Sequence, residues 1–186
     1  MSEEAKRHLR VAGDAESARC PPVVRCYLDV DGVLAPYGDP GCVPSSWPDF
    51  VDGYLGPKLA VYSPPMLSAL AELELEVVWC TTWGPYAEWA FGTLLGSRSR
   101  RTLDLNSTPL AAGGVKGAAV SADLREDPAP FVWIDDDAIT ALAVERLESA
   151  GLPMLLIKPA RKIGLEPGHI EQIAAFVRAQ HGGGGR

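Results

Sequence analysis

An apolar run that ends in two acids and a glycine, between Val23 and Leu34, constrains the fold of this chain more than any other segment. Nearly unbroken hydrophobic runs of this length are typical of strands buried on both faces of a parallel sheet. Asp29 and Asp31 close the run at the carboxyl end of the strand, where open α/β sheets bind their ligands. Because residues two apart in a strand point to the same side, the two carboxylates can converge on one divalent cation or phosphoryl group.

Asp31-Gly32 has a second interpretation, since Asp-Gly is also a strong signal for the turn of a β-hairpin. The residues that follow, Val33 to Pro36, form no clear returning strand, and Pro36 would remove one donor from a strand ladder. The sequence therefore favours a strand end over a hairpin at this point.

Apolar strands alternate with helical patterns along the chain, which predicts an α/β fold with a parallel sheet and crossover helices. The expected strands are Val23–Val30, Glu76–Thr81, Thr102–Leu105, Phe131–Ile134 and Met154–Ile157. The expected helices run from Pro64, capped by Ser63, to about Leu73, from Gly84-Pro85 to about Leu95, from Ala138 to Ala150, and from Pro167 to about Gln180. The Pro- and Gly-rich segment 35–62 is predicted to be an irregular excursion.

Length and composition predict one globular domain. The chain has 186 residues, of which 47% are hydrophobic. Residues 1–22 are polar and poorly patterned and residues 181–186 are rich in glycine, so both ends are expected to be disordered around a domain at 23–180. The net charge of −7 argues against an extended nucleic-acid binding surface.

The sequence predicts a cytoplasmic protein with no membrane partner. Residues 1–19 lack the apolar core of a signal peptide, and no run approaches the length of a membrane span. The four cysteines form no Cys-x-x-Cys pair and show no zinc spacing, and Cys26 and Cys80 lie inside apolar runs, where cysteine acts as a small hydrophobe.

Three of the predicted strands end in polar groups. These are Asp29 and Asp31 after the first strand, Thr81 and Thr82 after the second, and the acids 135–137 after the fourth. Parallel strands bring such ends to the same rim, where grouped carboxylates repel and raise each other's pKa. A bound divalent cation relieves that repulsion, and hard oxygen ligands favour Mg²⁺.

Each of these features also has a simpler interpretation. One of the acids 135–137 could only cap a helix that begins at Ala138, although three acids acting only as caps are less expected. Thr81 and Thr82 could be ordinary β-branched residues at a strand end. Lys116, which follows Gly113-Gly114, could be a solvated surface lysine.

Four segments follow the order of the motifs of the haloacid dehalogenase-like (HAD) superfamily, which the chain resembles over roughly residues 23–178. They are Leu28-Asp29-Val30-Asp31-Gly32-Val33-Leu34, Val77-Val78-Trp79-Cys80-Thr81, Lys116 and Trp133-Ile134-Asp135-Asp136. Three flanking stretches are similar to the HAD domains of "Swiss Army Knife" RNA-repair proteins: Val78–Gly84, Val132–Asp137 and Ile163–His169.

The resemblance implies a three-layer Rossmann-like fold with a central, mainly parallel five-stranded sheet and a phosphoryl-transfer site at its rim. Asp29 would be the nucleophile that forms an aspartyl-phosphate, and Asp31 would be the general acid and then the base. Thr81 would bind a phosphate oxygen, with Thr82 as the alternative in the same role. Lys116 would offset the charge of the nucleophile and the phosphate.

The resemblance also implies a Mg²⁺ site. Asp135 and Asp136 would hold the ion together with Asp29 and the backbone carbonyl of Asp31. Because residues 135–137 are all acids, it stays open which of them contact the ion.

HAD enzymes often carry cap domains over their sites. The insertions after the first and second predicted strands are short here, so no large cap domain is expected and a sizeable substrate could reach the rim. Lys158 and Arg161, with Lys162, follow the last strand on that rim and could hold a second phosphate or only face water. Tryptophans 47, 83 and 89 lie near the rim and are expected in the core more than in stacking on a nucleobase.

These features together predict a Mg²⁺-dependent phosphatase whose substrate is a phosphorylated small molecule or a nucleic-acid end. A catalytically silent phosphate-binding or regulatory module on the same fold is the main alternative. A third hypothesis is a transferase in which Asp29 and Asp31 only hold a metal–nucleotide donor.

Overall fold

A computed structural model describes residues 22–39, 41, 43, 45–55, 58–96, 101–108 and 113–182 of the protein. The expectation of disordered ends concerns residues 1–21 and 183–186, which lie outside the described residues. Residues 181 and 182, which were assigned to the glycine-rich tail, belong instead to the last helix.

The strands alternate with helices along the chain, as predicted. In chain order the strands are β1 (Arg25–Leu28), β2 (Val51–Leu55), β3 (Lys58–Tyr62), β4 (Glu76–Trp79), β5 (Arg101–Thr102), β6 (Phe131–Ile134) and β7 (Met154–Ile157). The helices are α1 (Pro64–Ala71), α2 (Tyr86–Phe91), α3 (Gly114–Glu126), α4 (Ala141–Glu148) and α5 (Pro167–Gly182).

The central sheet has five strands in the order β5-β4-β1-β6-β7, and every neighbouring pair is parallel. This confirms the prediction of an α/β fold with a parallel five-stranded sheet, and the sheet is consistent with a Rossmann-like fold. The chain starts in the middle of the sheet, adds β4 and β5 on one side, and then returns to add β6 and β7 on the other. The crevice between β1 and β6 is therefore the point where the strand order reverses.

Helices cover both faces of the sheet because the strands are apolar on both sides. In β1, Cys26 and Leu28 point into the core shared with α1, α2 and α5, whereas Tyr27 points into the core shared with α3 and α4. The same alternation occurs in β6, where Val132 and Trp133 fall on opposite faces. The continuous apolar runs of the sequence thus result from two cores, one on each side of a single sheet.

Three elements were not predicted, the two strands of a hairpin and one helix. The segment expected to be an irregular excursion contains the antiparallel hairpin of β2 and β3, whose Tyr62 ring packs edge-on against Phe91. Helix α3 was missed because its buried face consists mainly of small residues, among them Gly117, Ala118 and Ser121, which lack the large apolar side chains that mark a helical stripe.

Several boundaries differ from the sequence-based expectation. The helix predicted from Ala138 begins at Ala141, and Thr140 is its N-cap, with a side-chain oxygen that accepts from the Ala143 N–H. The prediction that Ser63 caps α1 is confirmed, since its hydroxyl accepts from the Met66 N–H.

Candidate functional site

The ends of β1 and β6 bring Asp29 and Asp135 together. Leu28 and Ile134 are paired in the parallel ladder, so the residue after each strand emerges beside its counterpart, and the Asp29 N–H donates to the Ile134 carbonyl at 3.1 Å. Both acids are buried, Asp29 at 4% exposure and Asp135 at 0%. They lie at the crevice where the strand order reverses, the usual ligand-binding position of open α/β sheets.

Lys116 lies between these two carboxylates. Its Nζ donates to Asp29 Oδ2 at 2.5 Å and to Asp135 Oδ2 at 2.8 Å. The lysine is held there by the first turn of α3, which packs closely on α4. The alternative of a solvated surface lysine is therefore wrong, since the Lys116 side chain is largely buried and pairs with both acids.

The electrostatics of the site follow from burial and from this lysine. Burial raises the pKa of Asp29 to about 6, although the Lys116 ammonium opposes the shift. For Lys116, burial works to lower the pKa, but Asp29 and Asp135 outweigh it and the pKa is raised. The lysine therefore stays charged and offsets much of the repulsion between the two acids.

The turn after β1 positions Asp31. The N–H groups of Val33, Leu34 and Ala35 all donate to the Val30 carbonyl, which closes a tight turn directly after the strand. This turn leads into an irregular loop, so the alternative of a hairpin at Asp31-Gly32 is wrong. Asp31 lines the same cleft as Asp29 and Lys116.

The acids 135–137 form a second turn, and each has a different environment. Asp135 Oδ1 accepts from the N–H groups of Asp137 and Ala138, so this carboxylate also holds the turn. Asp136 Oδ2 accepts from Arg161 Nε at 2.6 Å, and Asp137, which is exposed, pairs with Arg161 Nη2 at 3.1 Å. The helix cap expected among these acids is supplied by Thr140 instead.

Asp29, Asp135 and Asp136 each offer a carboxylate oxygen within 4.8 Å of the other two. A group of three carboxylates this close, with two of them buried, has the donor chemistry that binds a hard divalent cation. These three residues could therefore hold a metal ion. The proposed contribution of Asp31 through its backbone carbonyl stays a prediction, and Asp137 is outside the group.

An open cleft of about 690 Å³ leads to these acids. Asp29, Lys116 and Asp136 line it, together with Thr82, Arg161 and the glycines 113 and 114. Tyr37 and Leu142 also line it, and sequence reasoning missed both. A tyrosine a few residues beyond the acidic motif was the available signal for Tyr37, whereas nothing in the sequence pointed to Leu142.

The remaining predicted residues occupy less central positions. Thr81 is buried, with its Oγ1 accepting from the Trp83 N–H at 3.3 Å, and Thr82 is the threonine that lines the main cleft. The choice between Thr81 and Thr82 as phosphate ligand stays open. Lys158 is exposed, donates to the Ile139 carbonyl at 3.3 Å, and is not among the residues that line the cleft.

Of the tryptophans considered near the rim, Trp83 is buried in the core and Trp47 packs against that core, as predicted. Trp89 is exposed on α2, so the expectation of a core position is wrong for this residue. Across the described part of the chain, no helix combines the length and the apolar character that crossing a membrane requires.

Comparison of the chain with family models, with curated proteins and with solved structures gave no match.

Proposed function

We propose that this protein is a Mg²⁺-dependent phosphohydrolase of the HAD type that acts through an aspartyl-phosphate on Asp29. The observation that carries the proposal is the grouping at the reversal point of the sheet. Asp29 and Asp135 share Lys116 there, and Asp136 completes a close set of three carboxylates. Phosphoryl transfer requires positioning and charge neutralisation more than covalent assistance, and this grouping offers both.

The bound Mg²⁺ would neutralise charge on the phosphoryl oxygens, held by Asp29, Asp135 and Asp136 with the Asp31 carbonyl. Lys116 donates to Asp29 Oδ2 and so keeps this carboxylate ionised and fixed in direction. Asp29 Oδ1 accepts from the Val30 N–H, which restricts the carboxylate further. A carboxylate held on both oxygens is well oriented for attack on a phosphorus atom placed in the cleft.

The reaction proceeds in two displacements. An Asp29 oxygen bonds to phosphorus while the bond from phosphorus to the leaving oxygen breaks, and protonated Asp31 gives its proton to that oxygen. Asp31, now a carboxylate, takes a proton from a water molecule whose oxygen attacks phosphorus. The bond from phosphorus to Asp29 then breaks, which releases inorganic phosphate and restores the aspartate.

The substrate is a phosphorylated small molecule or a nucleic-acid end, with Thr81 or Thr82 on a phosphate oxygen. Arg161 lies at the wall of the cleft and supports a role in substrate binding. Lys158, which donates to the Ile139 carbonyl and is not among the residues that line the cleft, has less support for such a role. Between β1 and α1 the described residues contain only the β2–β3 hairpin, and between β4 and β5 they contain only the short helix α2, which supports an accessible site without a large cap domain.

The proposal is tested by hydrolysis of para-nitrophenyl phosphate with and without Mg²⁺. Asp29→Asn should abolish turnover, and Asp31→Asn should lower it by roughly 10²–10⁴-fold, the usual contribution of a general acid. Asp52→Asn is the matched control, since Asp52 is an exposed acid on the β2–β3 hairpin and should retain full turnover. Full turnover in Asp29→Asn would reject the proposal.

A separate experiment tests the covalent step and also distinguishes the phosphatase from the transferase and from the silent binding module. Borohydride reduces an acyl phosphate to an alcohol, so quenching during turnover should convert residue 29 to homoserine, visible in the mass of its peptide. A transferase that uses Asp29 only for metal binding would leave this peptide unchanged. Tight phosphate binding with no turnover of any phosphate ester would instead favour the silent binding module.

A further inference from the structure

Two loops form one wall of the cleft and are joined along their backbones. The Tyr37 N–H donates to the Arg161 carbonyl at 3.1 Å, and the Leu165 N–H donates to the Val33 carbonyl at 3.0 Å. These bonds tie the loop that follows β1 to the loop that follows β7. The wall is therefore part of the folded framework, and the backbones that carry its side chains are joined to each other.

Gly164 allows this close approach. Its φ is +74°, and a Cβ added there would lie 2.6 Å from the Val33 carbonyl oxygen. Any other residue would be strained and would push the two loops apart.

The side chains on this wall are a phenol ring and a guanidinium group. The Arg161 guanidinium carbon lies 5.3 Å from the centre of the Tyr37 ring, in cation–π contact. Nε and Nη2 of Arg161 bond Asp136 and Asp137, and the remaining Nη1 has no partner among the described residues. Tyr37 is 50% exposed and lines the cleft, so a ligand can reach its ring.

The cleft also contains an exposed apolar side chain. Leu142 is 48% exposed and lines the cleft together with Tyr37. The cavity of about 690 Å³ lies within the range of ligand pockets and exceeds what a phosphoryl group at Asp29 would occupy. The charged side chains at Asp29 and Lys116 and the less polar side chains of Tyr37 and Leu142 therefore match two different parts of one ligand.

We propose that Tyr37, Arg161 and Leu142 form a leaving-group subsite that binds the flat, unsaturated ring of a phosphate monoester. This inference rests on the proposed function, since it takes the phosphoryl group to lie at Asp29. A flat ring stacks on the tyrosine and guanidinium planes, which a saturated ring or an open chain does less well. Nη1 of Arg161 can donate to an acceptor on that ring. The ligand class is therefore a phosphate ester that carries an aryl group or a nucleobase.

The test measures binding, so that it does not depend on turnover. Wild-type protein with Mg²⁺ is titrated calorimetrically with benzylphosphonate and with cyclohexylmethylphosphonate, which resist hydrolysis and differ mainly in the flatness of the ring. Asp29→Asn protein is titrated with adenosine monophosphate and with ribose phosphate, which differ by the base. The flat member of at least one pair should bind roughly tenfold more tightly, as expected of one stacking contact. The pair that discriminates identifies the ring as an aryl group or a nucleobase.

Three variants assign the preference to the wall. Tyr37→Leu should lower the ratio of the two affinities to near one, and Tyr37→Phe should retain it because the ring is kept. Tyr86→Leu is the matched control, since Tyr86 is 55% exposed on α2 and is not among the residues that line the cleft. Equal binding within both pairs, a preference that survives Tyr37→Leu, or no binding of any of the four compounds would each overturn the subsite.

The outcome for the subsite is distinguishable from the outcome for the phosphatase. A ring preference that depends on Tyr37, in a protein that hydrolyses none of the esters, would support the subsite and reject the proposed function. Hydrolysis of adenosine monophosphate and ribose phosphate by the wild type with equal kcat/KM, together with equal binding within both pairs, would retain the phosphatase and overturn the subsite.

Discussion

At the scale of single residues, Lys116 is the side chain on which the charge balance of the site depends. It is the described cation that touches both Asp29 and Asp135, and those carboxylates are removed from water. Breaking a buried ion pair by removing one partner leaves the other charge uncompensated. The stability of the protein and the chemistry of its site are therefore linked through one lysine.

Lys116→Met should lower the free energy of unfolding by about 3 kcal/mol at neutral pH, because two buried carboxylates lose their cation. Addition of Mg²⁺ should restore part of this loss, since a bound cation takes over the neutralisation. Urea unfolding with and without Mg²⁺ measures both effects. Lys158→Met is the control, because Lys158 is exposed and its loss should change stability by less than about 0.5 kcal/mol. Equal stability of the two variants would contradict the account.

A second charged group lies at the amino end of the sheet. Burial works to raise the pKa of Asp123, but hydrogen bonds from Arg101 and Tyr27 outweigh it and lower the pKa from its usual value of 3.8. An acid with a lowered folded-state pKa stabilises the fold above its unfolded pKa, and this contribution is lost as the pH falls through the folded pKa.

Asp123→Asn should therefore cost about 2 kcal/mol of unfolding free energy at pH 7, the order expected for hydrogen bonds to a charged group. The difference from wild type should shrink as the pH falls below about 4, because the wild-type carboxyl is then protonated as well. Urea unfolding at a series of pH values measures the difference. A gap between variant and wild type that stays constant down to acidic pH would show that charge is not the cause.

At the scale of elements, the turn after β1 and the turn after β6 are fitted to one another. Gly32 has a φ of +75°, and a Cβ added there would lie 2.5 Å from Asp136 Oδ2. Glycine at position 32 therefore allows the positive φ of its own turn, and it also leaves room for the Asp136 carboxylate of the neighbouring turn.

Gly32→Ala should weaken divalent cation binding by about tenfold or more, in the range seen when groups that orient metal ligands are changed. Gly151→Ala is a matched control, because Gly151 also has a positive φ of +65° but has open space around its Cβ position. Both variants should lose about 1 kcal/mol of stability from backbone strain. Calorimetric titration with Mn²⁺ separates them, and equal affinity in the two variants would count against the role of Asp136.

The same scale shows which elements the sequence could predict. The strands Phe131–Ile134 and Met154–Ile157 were predicted with their observed bounds because each is a short apolar run bounded by turn residues. Helix α3 was missed because its buried face consists mainly of small residues such as Gly117 and Ala118, and Val120 and Leu124 alone are too few to mark a helical stripe. Close packing against α4 holds that helix, and such packing leaves no periodic signal in the sequence.

At the scale of the whole molecule, the position of the acids could be predicted because the topology of a parallel sheet determines where strand ends lie. Once the strands are parallel, the acids after β1 and β6 must lie at one rim, whatever their distance in the chain. The position of Lys116 could not be derived this way, since it depends on α3. The pairing of Arg161 with Asp136 and the wall that it forms with Tyr37 depend on two loops meeting, which neither propensity nor spacing encodes.

The central claim is that acids from the ends of two neighbouring strands hold one divalent cation together. Calorimetric or electron paramagnetic resonance titration with Mn²⁺ tests it directly on wild type, Asp29→Asn, Asp135→Asn and Asp136→Asn, with Asp52→Asn as control. We predict one site in the wild type and the control, and a loss of about tenfold or more in each of the three variants. Equal Mn²⁺ affinity in wild type and all three variants would contradict the claim.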